Sequence, residues 1–410
     1  MHTNREKASK FPALYYRDFR LLWLGLLISN TGSQMQFAAI NWHIFLLTHS
    51  ALALGLLGLF RFVPICIFAL IGGSVADAHN RKKILLITQL SMTALSLILA
   101  MLTFLHRESS LVIYVITALS AIALAFDTPP RQALVPSLVS REHLANAMSL
   151  NVIMWQFAMV AGPALAGFII GGLGIGSIYL INAVSFLAVI AALLLMKTSG
   201  EIEGERSNVS FASMLEGLKF VKSQTMIWST MILDFFSTFF ASATALLPIF
   251  AQKILHVGPI GYGLLYAAQS VGAVVAGYGM AHIGNAKRQG LLILAATTVY
   301  GLATIAFGYS PWFFLSFFAL FLVGVGDSVS TILRNTIRNL ATPDAIRGRM
   351  TSINMIFFMG GPQLGEFEAG LLAAAVGTQL SVALGGLGTL IVVAIVFAAM
   401  PSLRGYTAEK

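Results

Sequence analysis

The sequence predicts an all-α integral membrane protein: twelve transmembrane helices in two pseudo-symmetric six-helix bundles, with both termini cytoplasmic. Three observations predict it. Of the 410 residues, 57% are hydrophobic and only 10% charged, against about 25% charge in a soluble domain, and the mean hydropathy is +0.84. The apolar residues fall in runs of about 20, the length that crosses a bilayer core of ~30 Å. The bases alternate from one connecting segment to the next, as topology demands.

The runs lie at about 20–47, 52–76, 82–105, 110–127, 144–171, 175–197, 226–252, 259–282, 288–308, 311–334, 349–374 and 378–399. None alternates apolar and polar residues as a barrel strand does. The first carries Asn30, Ser33 and Gln34 on one face. The second holds Arg61 and leads into the turn GGSVADAHNRKK, residues 72–83, before the apolar third. The fourth ends at Asp127, ahead of Pro129 and Pro130. The fifth contains Gly162-Pro163, and the sixth is almost wholly apolar. The seventh contains Asp234. The eighth sets Tyr262, Tyr266 and Gln269 on one face. The ninth is apolar, and the tenth closes with Asp327 and Arg334. The eleventh carries Gly361-Pro362, Gln363, Glu366 and Glu368, and the twelfth is apolar again.

Cytoplasmic loops carry an excess of Lys and Arg. With the N-terminus inside, every base but Arg61, Arg107 and Lys253 falls in an inside segment. Arg5, Lys7, Lys10, Arg17 and Arg20 precede the first span; Arg81, Lys82 and Lys83 follow the second, Arg131 and Arg141 the fourth. A different helix count would scramble this asymmetry. The net charge of +9 is therefore topogenic, and no separate basic domain offers itself to nucleic acid. The single cysteine, Cys66, excludes an intrachain disulfide, and there is no HxxxH pair, CxxC pair or phosphate-binding GxxxxGK[ST] loop. No metal, cofactor or enzymatic activity is expected. The N-terminus lacks the pattern of a cleavable signal.

The longest inside segment, 198–225, contains SGEIEGERSNVS. Beyond it Phe211, Met214, Leu215, Leu218 and Val221 recur at helical spacing, a stripe suited to the membrane surface. The segment divides the chain into bundles at 1–197 and 226–410. The halves repeat one another: RQALVPSLVSREHLANAMSLN begins at Arg131 and RNTIRNLATPDAIRGRMTSIN at Arg334. Each follows an acid, Asp127 or Asp327, and leads to a Gly-Pro pair. Two such bundles suit a carrier that rocks about a midplane site.

The turn at Gly72–Lys83 resembles the signature G-x-x-x-D-R-x-G-R-R of the major facilitator superfamily. Gly73, Asp77, Arg81 and Lys82 match. Ala78 and Asn80 depart from it, although Asn tolerates a left-handed turn. Read physically, Gly73 lets two helices approach, Asp77 suits a helix N-terminus, and Arg81 can pair with Asp77 or Asp127. The group is either a cytoplasmic latch between the bundles or a topogenic turn. In the second half GMAHIGNAKR is a copy that has lost the acid. AMVAGPALAG, residues 158–167, is similar to the G-x-x-x-G-P-x-x-G-G motif of the superfamily's exporters, and FMGGPQLGEFEAG repeats it; the other reading is an ordinary kinked helix. Across nearly the whole chain, and most in DTPPRQALVPSLVSREHLANAMSLN, the sequence resembles the branch of drug:proton antiporters that holds enterobactin exporters and macrolide efflux proteins. That resemblance implies proton-driven export of a siderophore or of amphiphilic drugs across a cell inner membrane.

Ionisable residues at membrane depth are expensive and mark function. A carboxyl in a low-dielectric medium can load and release protons near neutral pH, so Asp234, Glu366 and Glu368 are the candidate proton carriers. Arg61 is a candidate for an anionic substrate or a carboxylate partner. Asn30, Gln34, Gln156, Tyr266, Gln269 and Gln363 complete the candidate substrate set, with Phe37, Trp155, Phe357 and Phe358 as aromatic surface. Gly73, Asp77, Arg81, Asp127, Arg131, Asp327 and Arg334 are the candidate gating residues. The expected protein is a monomeric secondary exporter whose partners are a small organic molecule, protons and membrane lipids. A siderophore-like ligand leads; multidrug or macrolide efflux, a lipid flippase and a non-transporting scaffold are the alternatives.

Overall fold

The computed structural model describes residues 11–200, 219, 221–284, 287–342 and 344–407, with backbone alone at 70, 344–349, 351–353, 355 and 356. Among them are twelve helices of 16 to 33 residues and no strand. They are α1 (Arg17–Thr48), α2 (Ala51–Ala78), α3 (Arg81–Phe104), α4 (Ser110–Leu134), α5 (Leu144–Leu173), α6 (Ile175–Leu195), α7 (Thr225–Phe240), α8 (Gly258–Ile283), α9 (Gln289–Gly308), α10 (Phe313–Ala341), α11 (Asp344–Val376) and α12 (Thr378–Ala399). Ten stretches of described helix are long and apolar enough to cross a membrane, α7 counting through a 3-10 turn and a π turn to Ile254. The interruptions Asn30, Thr31, Ser33, Gln34 and Gln36 keep α1 below that hydropathy. The stripe Phe211, Met214, Leu215 and Leu218, the N-terminal bases Arg5, Lys7 and Lys10, and Asn285 and Ala286 of the second-half turn lie outside the described residues.

Local chemistry sets the ends. Asn80 caps α3, its side chain accepting from the Lys83 N–H at 3.1 Å, and Ser109 caps α4 in the same way. A single glycine at positive φ joins α5 to α6 (Gly174, 81°) and another joins α11 to α12 (Gly377, 92°), a conformation glycine takes without a steric penalty. Packing repeats as well: α3 meets α4 and α6 as α9 meets α10 and α12. Gly162 of α5 sits against Thr31 and Gln34 of α1, and Gly361 of α11 against Phe235 and Thr238 of α7. Both Gly-Pro pairs are thus helix-crossing points. Lipid tails are as apolar as leucine, so such close approaches, with polar contacts, hold the helices together. Large apolar side chains such as Phe314 (83% exposed) and Leu173 (69%) are left for lipid.

By packing, the chain forms two units: Met1–Ile40 with Val63–Val209, and Asn41–Phe62 with Ser210–Lys410. The end of α1 and the start of α2 therefore pack with the second unit. Gly55 and Gly58 bring α2 against the backbone of α11 at Glu366, Gly370 and Gln363. Trp42 packs on Tyr262 with ring centroids 5.1 Å apart. Within the first unit the core joins Phe19, Leu22 and Leu26 to Leu85, Leu134, Leu150 and Leu193; within the second, Leu233 and Met280 join Ile293, Leu333, Ile337 and Val393.

Two helices outrun their expected ends. α4 continues through Pro129 and Pro130 to Leu134, and α10 through Arg334 to Ala341. Proline 129 cannot donate to the Ala125 carbonyl four residues back. The backbone of α2 lies against that carbonyl at Gly72 instead, where a Cβ would collide with it, and the Thr128 hydroxyl donates to Leu124 O at 3.0 Å. The close approach expected at Gly73 is thus made by its neighbour: a Cβ on Gly73 would meet nothing within 4 Å.

Candidate functional site

Three buried charge clusters stand out, one in the first unit and two in the second. In the first, Asp127 of α4 is fully buried. It pairs with Arg131 one turn on and accepts from Thr88 Oγ1 and Gln89 Nε2 of α3, both at 2.8 Å. Arg131 donates onward to Asn30 Oδ1 of α1 at 3.3 Å. Of the two acids expected for Arg81, Asp77 or Asp127, Asp127 is not its partner. Arg81 donates to the Ala133 carbonyl at 3.2 Å, because Arg131, on the same helix as Asp127, reaches the carboxylate first. Around Arg81, Asn80 Nδ2 donates to Ser199 O and Lys82 Nζ to Met196 O. The signature turn thus grips the end of α4 and the segment after α6. Asp77 is half-buried on α2.

The second cluster repeats the first with its acid moved. Arg334 of α10 donates to Ser330 Oγ one turn back at 2.9 Å and to Asp234 Oδ1 of α7 at 2.7 Å. Ser330 in turn shares a hydrogen bond with Thr297 of α9 at 3.1 Å. Threonine, turn partner, arginine and α1 or α7 side chain recur in one order, but the carboxylate sits on α4 in the first unit and on α7 in the second. Arg338 adds a second guanidinium, 3.5 Å from Asp234 Oδ2, and Asp327 stands 4.0 Å from Arg334. Arg334, Arg338 and Asp234 are each at most 2% exposed. Arg131, Arg334 and Arg338, which the sequence assigns to inside loops, are therefore helical ion-pair residues.

The third cluster joins α1, α2, α8 and α11 within the second unit. Arg61 donates to Glu366 Oε2 and to Asn41 Oδ1, both at 3.3 Å; Arg61 is 6% and Glu366 7% exposed. Asn41 is also bonded to the Tyr262 hydroxyl, and Tyr266 lies within the pair's electrostatic field. Arg61 stands ten residues from the start of α2 and Glu366 ten from the end of α11, about 15 Å along each helix, half the depth of a ~30 Å core. Glu368 is half-buried, with no ion-pair or hydrogen-bond partner among the described residues. Gln363, one turn from Glu366, keeps its Oε1 buried and unbonded.

Other candidates separate. Asn30, Gln34 and Gln156 belong to the first unit; Arg61, Tyr266, Gln269 and Gln363 belong to the second. Asn30 is committed to Arg131. Trp155 and Phe358 are about half exposed, while Phe357 packs edge-on to Trp228 and Phe235. Asn41, Arg338, Thr88 and Gln89 were not singled out in the sequence, although Arg338 follows Arg334 by one turn. A further buried network, Ser96 and Asn182 donating to Gln36 Oε1 at 2.9 Å, was likewise hidden. Among the described residues no group of His, Cys, Asp and Glu is placed to hold a metal ion.

Comparison with known proteins fits this architecture. The chain is 26% identical over 388 residues to the enterobactin exporter EntS of Citrobacter koseri, covering 95% of this chain and 93% of that one. It is 24% identical, with the same coverage, to EntS of Escherichia coli O1:K1 / APEC. Among solved structures, a bacterial homologue of the human lysosomal transporter Spinster superposes with a TM-score of 0.75 at 16% identity, over 98% of this chain and all of that one. A bacterial homologue of the iron transporter ferroportin gives 0.69 at 18% identity, over 95% and 99%. The family model described as a transmembrane secretion effector matches residues 8–408, and the chain therefore belongs to that family of membrane transporters within the major facilitator superfamily.

Proposed function

We infer that this protein is a proton-coupled exporter of a small organic molecule, a siderophore-like ligand first, working by alternating access across a cell inner membrane through twelve spans. Full-length similarity to enterobactin exporters supports export and the ligand class. The observation that carries the coupling is Glu366: a carboxyl buried at mid-depth, held by one arginine, beside an unbonded amide oxygen on the same helix. Asp234 is the poorer carrier, since its carboxylate is tied to two guanidiniums and is the ion-pair partner of buried Arg338.

The Arg61–Glu366 pair also decides how a ligand couples. An anion bound to Arg61 would displace Glu366 and favour its protonation, so ligand and proton would travel together. Antiport needs the opposite: a ligand that favours the ionised carboxylate drives the proton off inside, and its release outside lets the proton return. Catechol hydroxyls are donors, and they suit Glu366 and Gln363 Oε1. Arg61 then acts as counter-ion to Glu366 and not as an anion receptor. Efflux of a cationic drug is the second reading, favoured by Glu368, whose carboxyl has no partner among the described residues. Uptake of a catecholate into inverted vesicles separates the readings. Accumulation driven by an inside-acid gradient is expected, and uptake indifferent to the gradient would rule out antiport.

A further inference from the structure

The first unit holds a cavity of about 540 Å³ that none of the charge clusters accounts for. Its walls are Val75 of α2, Ile84 to Leu95 along α3, and Leu119 to Phe126 of α4. Thr88 and Ser91 are the polar side chains of that wall, and both are already used. Thr88 donates to Asp127 and to Leu85 O, and Ser91 to Ile87 O. A ligand in the cavity is therefore met by an apolar surface, which a polar siderophore would not choose. From Ile84 to Leu95 the wall rises about 16 Å along α3, close to the ~15 Å hydrocarbon depth of one leaflet.

A basic segment adjoins this groove at its Ile84 end. Arg81, Lys82 and Lys83 begin α3 there. Arg81 and Lys82 each donate to one backbone carbonyl, of Ala133 and Met196, which does not neutralise their charge. Lys83 is exposed and stands one turn before Ile87, on the rim of the groove. Asp77 on α2 is the acid nearest in sequence to these three bases.

The geometry points to a bound anionic phospholipid, one acyl chain in the α2–α3–α4 groove and the phosphate at Lys83. Apolar burial and charge complementarity act together, as they do for basic segments at anionic membrane surfaces. The chain would cover Thr88, whose hydroxyl bonds the buried Asp127, so occupancy also shields the first unit's charge cluster. The site belongs to the membrane fold and does not depend on what is exported.

Native mass spectrometry of the purified full-length protein tests it, with phosphatidylglycerol and phosphatidylcholine titrated separately after delipidation. One phosphatidylglycerol should be retained in preference to phosphatidylcholine. Lys83→Gln should weaken it about fivefold, the equivalent of roughly 1 kcal/mol per base near an anionic surface. Ala94→Trp, which fills the groove from an exposed position, should abolish retention; Arg107→Gln, beyond the opposite end of α3, serves as the control. Equal retention of both lipids, wild-type retention by both groove variants, or displacement of the lipid by a transported dye would overturn the assignment.

Discussion

Replacing Glu366 with glutamine separates coupling from packing. The Arg61–Glu366 nitrogen and oxygen are 3.3 Å apart, where opposite charges attract by about 5 kcal/mol at an effective dielectric near 20. Removing one partner of a buried pair costs about 3–5 kcal/mol, because the other charge is left unpaired. Glutamine keeps an acceptor for Arg61, so Glu366→Gln should sit at the low end, about 3 kcal/mol. The double variant Arg61→Gln, Glu366→Gln strands no charge and should recover at least about 2 kcal/mol of the loss, read as a coupling energy in a double-mutant cycle. Transport should respond differently. One pH unit is worth 1.36 kcal/mol, so a one-proton antiporter can concentrate its ligand about tenfold per unit across inverted vesicles. Both variants should lose that accumulation while retaining counterflow of labelled against unlabelled ligand. Tenfold accumulation by Glu366→Gln would refute the assignment of Glu366 as proton carrier. Loss of counterflow with accumulation would refute the separation of binding from coupling.

Four further outcomes are expected. Asp234→Asn should lower unfolding stability by about 3–5 kcal/mol in a denaturant titration, more than Asp127→Asn, because it leaves buried Arg338 unpaired and Arg334 with the more distant Asp327 alone, where Asp127 leaves one partly exposed arginine. Gly72→Leu should cost about 1–3 kcal/mol by overpacking against the Ala125 carbonyl, and Gly73→Leu should be close to neutral in the same thermal-melt assay. With Cys66 replaced by serine, Arg107→Cys should label with an impermeant maleimide from outside whole cells and Lys83→Cys only after permeabilisation; the reverse would overturn the assigned orientation. Gly58→Val should impair transport as well as stability, since its Cβ would enter the backbone of α11 at Gln363.

Helix positions and the two-fold repeat were legible in the sequence because lipid imposes length and hydropathy on every span. The failures share a cause. The fourth run reads as ending at Asp127 because its apolar residues stop there, whereas a helical carbonyl covered by Gly72 of another helix leaves no mark in the sequence. Gly73 was singled out over Gly72 because a motif fixes spacing, and spacing does not say which of two adjacent glycines faces the neighbouring helix. Arg131 and Arg334 count both as inside bases and as gating candidates, because charge near a run's end looks the same in sequence whether it faces water or a carboxylate. Asn41 went unnoticed for a related reason. A neutral amide in a helix carries no sign of a partner until α2 places Arg61 beside it.

The repeat itself offers the deeper argument. Arg131 and Arg334 are equivalent, yet the shorter ion pair of one comes from its own helix and that of the other from α7, with Asp327 of its own helix farther off at 4.0 Å. A carboxylate four residues away on the same helix moves with its arginine, so Asp127–Arg131 survives any shift of α4 against α1. Asp234–Arg334 bridges two helices, so a shift of α10 against α7 would break it, leaving buried Arg338 unpaired and Arg334 with Asp327 at 4.0 Å alone. The second unit should therefore resist internal rearrangement between α7 and α10 more than the first resists it between α1 and α4. Amide exchange in the first unit should then quicken on ligand binding around Asn30, while the α7 segment around Asp234 stays protected; quickening at Asp234 instead would mean that the bridge is a moving part.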